Sequence, residues 1–355
     1  MKLFGTDGIR GTFGIYPLDE ATIRKIGSTI SSIYSKKINK IFIAHDGRLS
    51  HEVIGKNLIE GILSTSDIEI IFLDLLPTPS IPYILSERDE EDAMGIQITA
   101  SHNPYMDNGL KIFNSDGFKI SSIEEDKIEE ILYSIEEVKY TNDLTVIKNS
   151  SYTDSYVKYL SNTFDHFVDK SKKIHIALDC ANGALSKIIK TLNLHKNISF
   201  SIFNDNPNGK NINDNCGAVY PEYLSNTITQ RNKEIDITDD EWIDFGITFD
   251  GDGDRAILIS ESGRVIDGDE ILFILSGTET SEILVGTNMT NFGIRESIEK
   301  KGHSFIETNV GDKFLLDAIL KNNAYMGSES SGHIIHTDVC KIPIGDAMIT
   351  LIKII

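Results

Sequence analysis

The sequence is poor in the residues that build disulfide frameworks, zinc sites and membrane spans. Its three cysteines, Cys180, Cys216 and Cys340, stand far apart with no CxxC spacing, which argues against a disulfide scaffold or zinc ribbon and fits a reducing cytoplasm. Proline is scarce, at 8 of 355 residues, and no long disordered or low-complexity tract is expected. The longest apolar runs, such as Ile271 to Leu275, fall far short of the ~20 residues that cross a bilayer. Met1-Lys2-Leu3-Phe4-Gly5 lacks the apolar stretch of a secretory signal. Positive charge is short as well: 34 Lys and Arg face 54 Asp and Glu, for a net charge of −20. That balance argues against nucleic acid and against an anionic membrane surface as partners. It leaves an anionic small molecule open, because Arg, Lys or a metal ion reverses the sign inside one cleft.

What is present is ample apolar material, 40% of the chain, enough for two to three domains at roughly 100–200 residues each. Short β-branched runs end in Asp/Gly-rich turns. Lys40-Ile-Phe-Ile-Ala-His-Asp46 and Lys173-Ile-His-Ile-Ala-Leu-Asp179 share one pattern. Phe245 to Asp250 is a looser copy, and Ile283 to Thr287 reads as a further strand. Helical spacing follows at Val53 to Leu63, Leu185 to Leu192 and Phe314 to Leu320. Strands alternating with helices predict α/β units with mainly parallel sheets, and the shared pattern predicts a repeated domain. A buried parallel strand of any origin also reads this way. Polar stretches at 139–155 and 236–244 are candidate boundaries. Chemistry is expected in the loops at the carboxyl ends of the strands.

Five such segments stand out. Asp250-Gly-Asp252-Gly-Asp254-Arg255 sets three carboxylates at alternating positions around flexible glycines, suited to one hard cation, with Arg255 adding a fork for phosphate. An EF-hand loop would need Gly where Arg255 stands, and a metal-free acidic turn would leave three acids repelling one another. Thr99-Ala-Ser101-His102-Asn103-Pro104 places a serine after the strand-like Met94 to Ile98, without the GxSxG pattern of hydrolases. Asp107-Asn108-Gly109-Leu110-Lys111 reads as a tight Asn-Gly turn followed by a lysine, either a proton shuttle or a solvated hairpin side chain. Phe4-Gly-Thr6-Asp7-Gly8-Ile9-Arg10-Gly11 offers one Arg among glycines, and Gly327-Ser-Glu329-Ser330-Ser331-Gly332-His333 packs an acid, hydroxyls and an imidazole into one turn. Either is by itself as readily a structural turn as a ligand site.

Taken together and in this order, TASHNP, DGDGDR and the ExSGH turn resemble the α-D-phosphohexomutase family over the whole chain. The opening FGTDGIRG, Asn211 to Gly217 with Pro221-Glu222, Val265 to Glu270 and Gly286 to Asn291 are most similar to the family's bacterial phosphoglucosamine mutase branch. Lys313, Gly47 and Ser328 depart from it. The resemblance implies an α/β fold of three successive similar domains with mixed, mainly parallel sheets around a central cleft, at 1–150, 151–256 and 257–355. The family's smaller fourth domain is expected to be absent, since the chain stops inside the amphipathic run Asp346 to Ile355.

The resemblance also implies a role for each residue. Ser101 would carry the phosphoryl group. Asp250, Asp252 and Asp254 would hold one Mg²⁺, with an oxygen of phosphorylated Ser101 as fourth ligand. Arg10 and His102 would contact the moving phosphoryl, and Lys111 would serve as general acid/base. Glu329, Ser331, His333 and Arg255 would bind the sugar phosphate. The implied reaction interconverts glucosamine 6-phosphate and glucosamine 1-phosphate, primed by a sugar bisphosphate, in a cytoplasmic protein able to form a homodimer. Two alternatives are a phosphoglucomutase or phosphomannomutase, and an impaired sugar-phosphate-binding protein.

Overall fold

The computed structural model describes residues 2–5, 7–87, 92–138, 146–192, 195–277, 282–339 and 341–355. Thr6, Cys340 and the first part of the polar stretch expected at 139–155 lie outside the described residues. The chain divides into two compact units, Met1–Tyr156 with Asn208–Lys210, and Val157–Pro207 with Asn211–Ile355.

In chain order the elements up to the second unit are β1 (Ile9–Thr12), α1 (Glu20–Tyr34), β2 (Lys40–His45), α2 (His51–Leu63), β3 (Glu69–Leu75), α3 (Ser80–Ser86), β4 (Ala93–Ile98), β5 (Asp107–Phe113), α4 (Ser122–Ser134), β6 (Val146–Lys148) and α5 (Ser151–Phe167). There follow β7 (Ile174–Asp179), α6 (Leu185–Thr191), β8 (Ile198–Phe203), α7 (Glu222–Glu234), β9 (Phe245–Phe249), β10 (Ala256–Ser260), β11 (Val265–Ile266) and α8 (Gly268–Leu275). The last are β12 (Ile283–Thr287), α9 (Phe292–Lys300), β13 (Ser304–Thr308), α10 (Asp312–Asn322), β14 (Met326–Ser328), β15 (Ile334–His336) and α11 (Ala347–Ile354). Helix starts are set by short polar side chains that satisfy orphan amides. Asp19 accepts from Thr22 N in α1, Ser121 and Glu124 form a capping box in α4, and Asp346 accepts from Met348 N and Ile349 N in α11.

The described residues form three mixed sheets, β1-β5-β4-β2-β3-β6, β11-β10-β9-β7-β8 and β13-β12-β14-β15. Each repeats one plan. A first strand (β2, β7, β12) lies between a second (β3, β8, β13) and a third (β4, β9, β14), all parallel. A fourth (β5, β10, β15) then turns back antiparallel beside the third. The repeat expected from the shared K-I-x-I-A-x-D pattern is therefore a repeat of topology, with those two runs forming the first strands β2 and β7. The expected domain limit at 256 falls at the first residue of β10, which pairs with β9 in the second sheet.

Apolar faces hold the layers. Ile23, Ile26 and Ile30 of α1 and Ile54, Leu58 and Ile62 of α2 cover Ile41, Ile43, Ile96 and Leu110 of the first sheet, all fully buried. Each such side chain stabilises by about 1.5–3 kcal/mol relative to exposure. In the second unit, Leu284, Met326 and Ile334 pack with Ile271, Leu272 and Leu258.

His336 of β15 is buried under α11, its Nε2 3.0 Å from Thr350 Oγ1. Burial, and secondarily Lys353, lower its pKa to about 3. Unfolded, a histidine takes a proton near pH 6.5, whereas this one stays neutral in the fold. Its contribution is thus fully present above pH 6.5 and is lost as pH falls toward 3, by up to ~1.4 kcal/mol per pH unit. Urea denaturation at pH 7 and pH 5 should show wild type losing about 2 kcal/mol more than His336→Gln over that interval.

Candidate functional site

Three of the loops singled out by sequence occupy one position in the repeated plan: each joins the third strand of a sheet to its antiparallel fourth. Residues 99–106 join β4 to β5, 250–255 join β9 to β10, and 329–333 join β14 to β15. These are the carboxyl ends of parallel strands, where α/β sheets expose their loop backbone to ligands.

In the first unit, Ser101 is 1% exposed and adopts a left-handed backbone, φ 51°, which costs a non-glycine residue conformational energy. Its Oγ lies 3.2 Å from His102 Nδ1, and its N–H donates to Thr99 Oγ1 at 2.8 Å. Lys111 corrects an expectation. Asn108-Gly109 is no turn but part of β5, where Arg10 pairs with Gly109, and Lys111 is 1% exposed rather than solvated. Glycine is required there by close packing, because a Cβ would stand 2.3 Å from Ile9 O and 2.6 Å from Thr99 O.

Asp7 gathers the cations of this loop cluster. Lys111 Nζ lies 3.2 Å from its Oδ2, Arg10 donates to the same oxygen, and Lys119 donates to Oδ1. Three cations on one carboxylate leave a local surplus of positive charge that favours an anion such as a phosphoryl group. Neither Asp7 nor Lys119 was assigned a role from sequence. The signal for Lys119 was the turn at Asn114 to Gly117, which returns the chain so that Lys119 bridges Phe113 at the end of β5.

In the second unit, Asp250, Asp252 and Asp254 are buried and present one ligand oxygen each, all within 4.8 Å of one another. Gly253 takes φ 73°, and Asp250 Oδ1 accepts from Gly253 N at 3.1 Å and Arg255 N at 3.2 Å, which curls the loop. β9 enters the loop and β10 leaves it, so it is no EF-hand, which needs flanking helices. Three buried carboxylates packed this closely are an all-oxygen donor set that fits a hard divalent cation. Burial by itself lowers the Arg255 pKa, but Asp254, Asp250 and Asp252 outweigh it and hold the guanidinium above its ordinary value.

The 329–333 turn braces the same unit. Ala256 N donates to Gly332 O, Arg255 and His333 form a β-bridge, and His333 Nδ1 stands 3.8 Å from Asp254 Oδ1. Glu329 Oε1 accepts from Gly311 N at 2.7 Å and Oε2 lies 3.4 Å from Ser331 Oγ. From the other side, Ala347 N at the start of α11 donates to Gly253 O. The terminal run Asp346 to Ile355 is thus a capped helix anchored on the acidic loop. Glu329, Ser331, His333 and Arg255 are gathered around one loop pair, as are Ser101, His102, Lys111 and Arg10 in the first unit.

Residues 1–139, 154–263 and 267–355 match the three descriptions phosphoglucomutase/phosphomannomutase alpha/beta/alpha domain I, domain II and domain III, respectively. The chain is 37% identical over 368 residues to a phosphoglucosamine mutase of Dictyoglomus thermophilum, covering all of this chain and 76% of the relative. It is 34% identical to a phosphoglucosamine mutase of Lysinibacillus sphaericus, covering all of this chain and 77% of that one. Among solved structures, a phosphoglucomutase/phosphomannomutase family protein of Burkholderia thailandensis shares the fold at a TM-score of 0.81 and 20% identity, over 99% of this chain and 76% of that chain. An N-acetylphosphoglucosamine mutase of Aspergillus fumigatus, crystallised with GlcNAc-6P and magnesium, shares it at a TM-score of 0.62 and 18% identity, over 99% and 76%.

Proposed function

Because the chain belongs to the phosphoglucomutase/phosphomannomutase family of phosphohexomutases, we propose that it interconverts glucosamine 6-phosphate and glucosamine 1-phosphate through a phosphorylated Ser101. The observation that carries the choice of hexosamine is the 37% identity, along the whole chain, to a phosphoglucosamine mutase. Ser101 follows β4, which pairs with β5 where Lys111 stands, and β5 pairs in turn with Arg10 of β1, an arrangement that supports the relay.

Phosphorylated Ser101 gives its group to the free hydroxyl of the hexosamine monophosphate. The P–O bond to Ser101 Oγ breaks as a P–O bond to the sugar forms, and the hydroxyl proton passes by way of Lys111, deprotonated for this step, to Ser101 Oγ. The bisphosphate so formed turns over and returns its other phosphoryl to Ser101. Little covalent work falls to the protein in such a transfer, and rate comes from positioning and charge. Arg10 and Lys119 keep the surroundings of Lys111 positive, while Asp7 orients all three side chains. Asp250, Asp252 and Asp254 would hold Mg²⁺, whose charge would offset the roughly −1.5 to −2 of a phosphoserine. Glu329, Ser331 and His333 bind sugar hydroxyls, and Arg255 adds a fork for a phosphate oxygen.

Turnover of the 355-residue chain on glucosamine, glucose and mannose phosphates, with Mg²⁺ and a trace of sugar bisphosphate, tests this reading. The expected result is a kcat/KM for glucosamine phosphate at least tenfold above the other two. A preference for glucose or mannose phosphate overturns the choice of hexosamine and leaves the phosphohexomutase family in place.

A further inference from the structure

A fully buried aspartate closes each of the first strands, Asp46 directly after β2 and Asp179 as the last residue of β7. Both fold the chain back in the same way, accepting a hydrogen bond from the amide two residues on: Arg48 N at 3.3 Å and Ala181 N at 3.0 Å. Around Asp179 the remaining acceptor capacity goes to Gly217 N and Asn204 Nδ2, and the residue two positions on is a plain alanine. The turn itself therefore needs only the aspartate. In the repeat that contains Ser101, the alanine position is Arg48, whose side chain is completely buried.

That guanidinium makes four hydrogen bonds: Nε to Asp46 Oδ2, Nη1 to Pro104 O and Asp107 O, and Nη2 to Ser101 O. Asp46 Oδ2 also accepts from Thr99 Oγ1 at 2.6 Å, and that hydroxyl oxygen accepts the Ser101 N–H. Ser101 is consequently held by its own N–H through Thr99 and by its own carbonyl through Arg48, both tied to one carboxylate. This grip spans the residue with φ 51°, a backbone conformation that persists only where surroundings over-determine it. A buried guanidinium is a costly way to fill space unless its hydrogen bonds are needed.

We propose that Arg48, with Asp46 and Thr99, is the positioning residue that fixes Ser101 in the conformation from which its phosphoryl group is transferred. The inference rests on the reading of Ser101 as the phosphoryl carrier. Positioning of this kind acts on the chemical step, where a misplacement of about 1 Å costs about a hundredfold. Binding of the sugar phosphate, which uses other residues, stays as it is. Lysine at position 48 keeps the charge but cannot bridge three carbonyls and a carboxylate with a planar fork.

The test compares wild type, Arg48→Lys and Thr99→Val. Its readouts are kcat and KM on glucosamine 1-phosphate, and Ser101 phosphorylation by glucose 1,6-bisphosphate followed by intact mass. The expected result for Arg48→Lys is a kcat and a phosphorylation rate lowered about a hundredfold with KM within threefold. Thr99→Val, which removes only the hydroxyl linking Asp46 to Ser101, should fall about tenfold with the same unchanged KM. Thr99→Val decides the matter if Arg48→Lys does not fold. Rates within twofold of wild type in folded variants overturn the proposal, and so does a loss that merely tracks the unfolded fraction seen by circular dichroism. A wild type that never acquires phosphate removes the premise itself, and is recognised by the unmodified mass before any variant is compared.

Discussion

Ser101→Ala should lower mutase turnover by more than about a thousandfold while leaving the fold and sugar-phosphate binding in place. The size of the effect follows from covalent relay. A nucleophile that carries the transferred group through both half-reactions cannot be replaced by a better-placed neighbour, and losing it removes the whole pathway. His102 Nδ1 lies 3.2 Å from Ser101 Oγ, and its imidazole does not carry the group through both half-reactions in this scheme. The methyl group of alanine fits the space left by the hydroxymethyl. The left-handed backbone at position 101 and the hydrogen bonds of its N–H and carbonyl are made by main chain, so they survive the substitution. Steady-state turnover together with a thermal melt checks this: activity falls and the melting temperature stays within a few degrees. Retained turnover in a clean preparation contradicts the relay.

Asp252→Asn should cut kcat by about a hundredfold or more and should change stability with opposite signs in the presence and absence of Mg²⁺. One of three carboxylates at the acidic loop is then neutral, so a divalent cation is held less tightly and less positive charge is available to a phosphoryl group. Without the cation, the wild-type loop keeps three buried acids within 4.8 Å, a repulsion that the single substitution relieves. In EDTA the variant therefore melts at or above the wild-type temperature. With Mg²⁺ the wild type gains stability by mass action, about 2.7 kcal/mol at a hundredfold excess over Kd, and the variant gains less. The melting shift is independent of any turnover. Equal shifts with Mg²⁺ in both proteins would place the cation elsewhere.

The strands and loops were legible because their signals are local. β-branched runs ending in Asp/Gly turns became β2, β7, β9 and β12, and TASHNP, DGDGDR and the ExSGH turn fall in the loops between third and fourth strands. Less visible was everything that joins residues remote in sequence. Asn108-Gly109 has the composition of a hairpin turn, yet tertiary pairing with β1 puts it inside a strand. The glycine serves close approach of Ile9 and Thr99 rather than a turn. Asp7 reads as one acid in a glycine-rich opening, and its role as partner of Lys111 and Lys119 depends on contacts over a hundred positions away. Arg48 follows a recurring strand motif with no local pattern that marks it. Periodicity reports which face of an element is buried, and it carries no information on which distant carbonyls a buried guanidinium will meet.

The measurement that bears most directly on the account is the location of phosphate after the protein is incubated with glucose 1,6-bisphosphate and Mg²⁺, then desalted and mapped by peptide mass. The account predicts one phosphate per chain, on the peptide that carries Ser101 and on no other, released again when glucosamine 1-phosphate is added. Phosphate on a different residue, or turnover without any phosphate on Ser101, would contradict it.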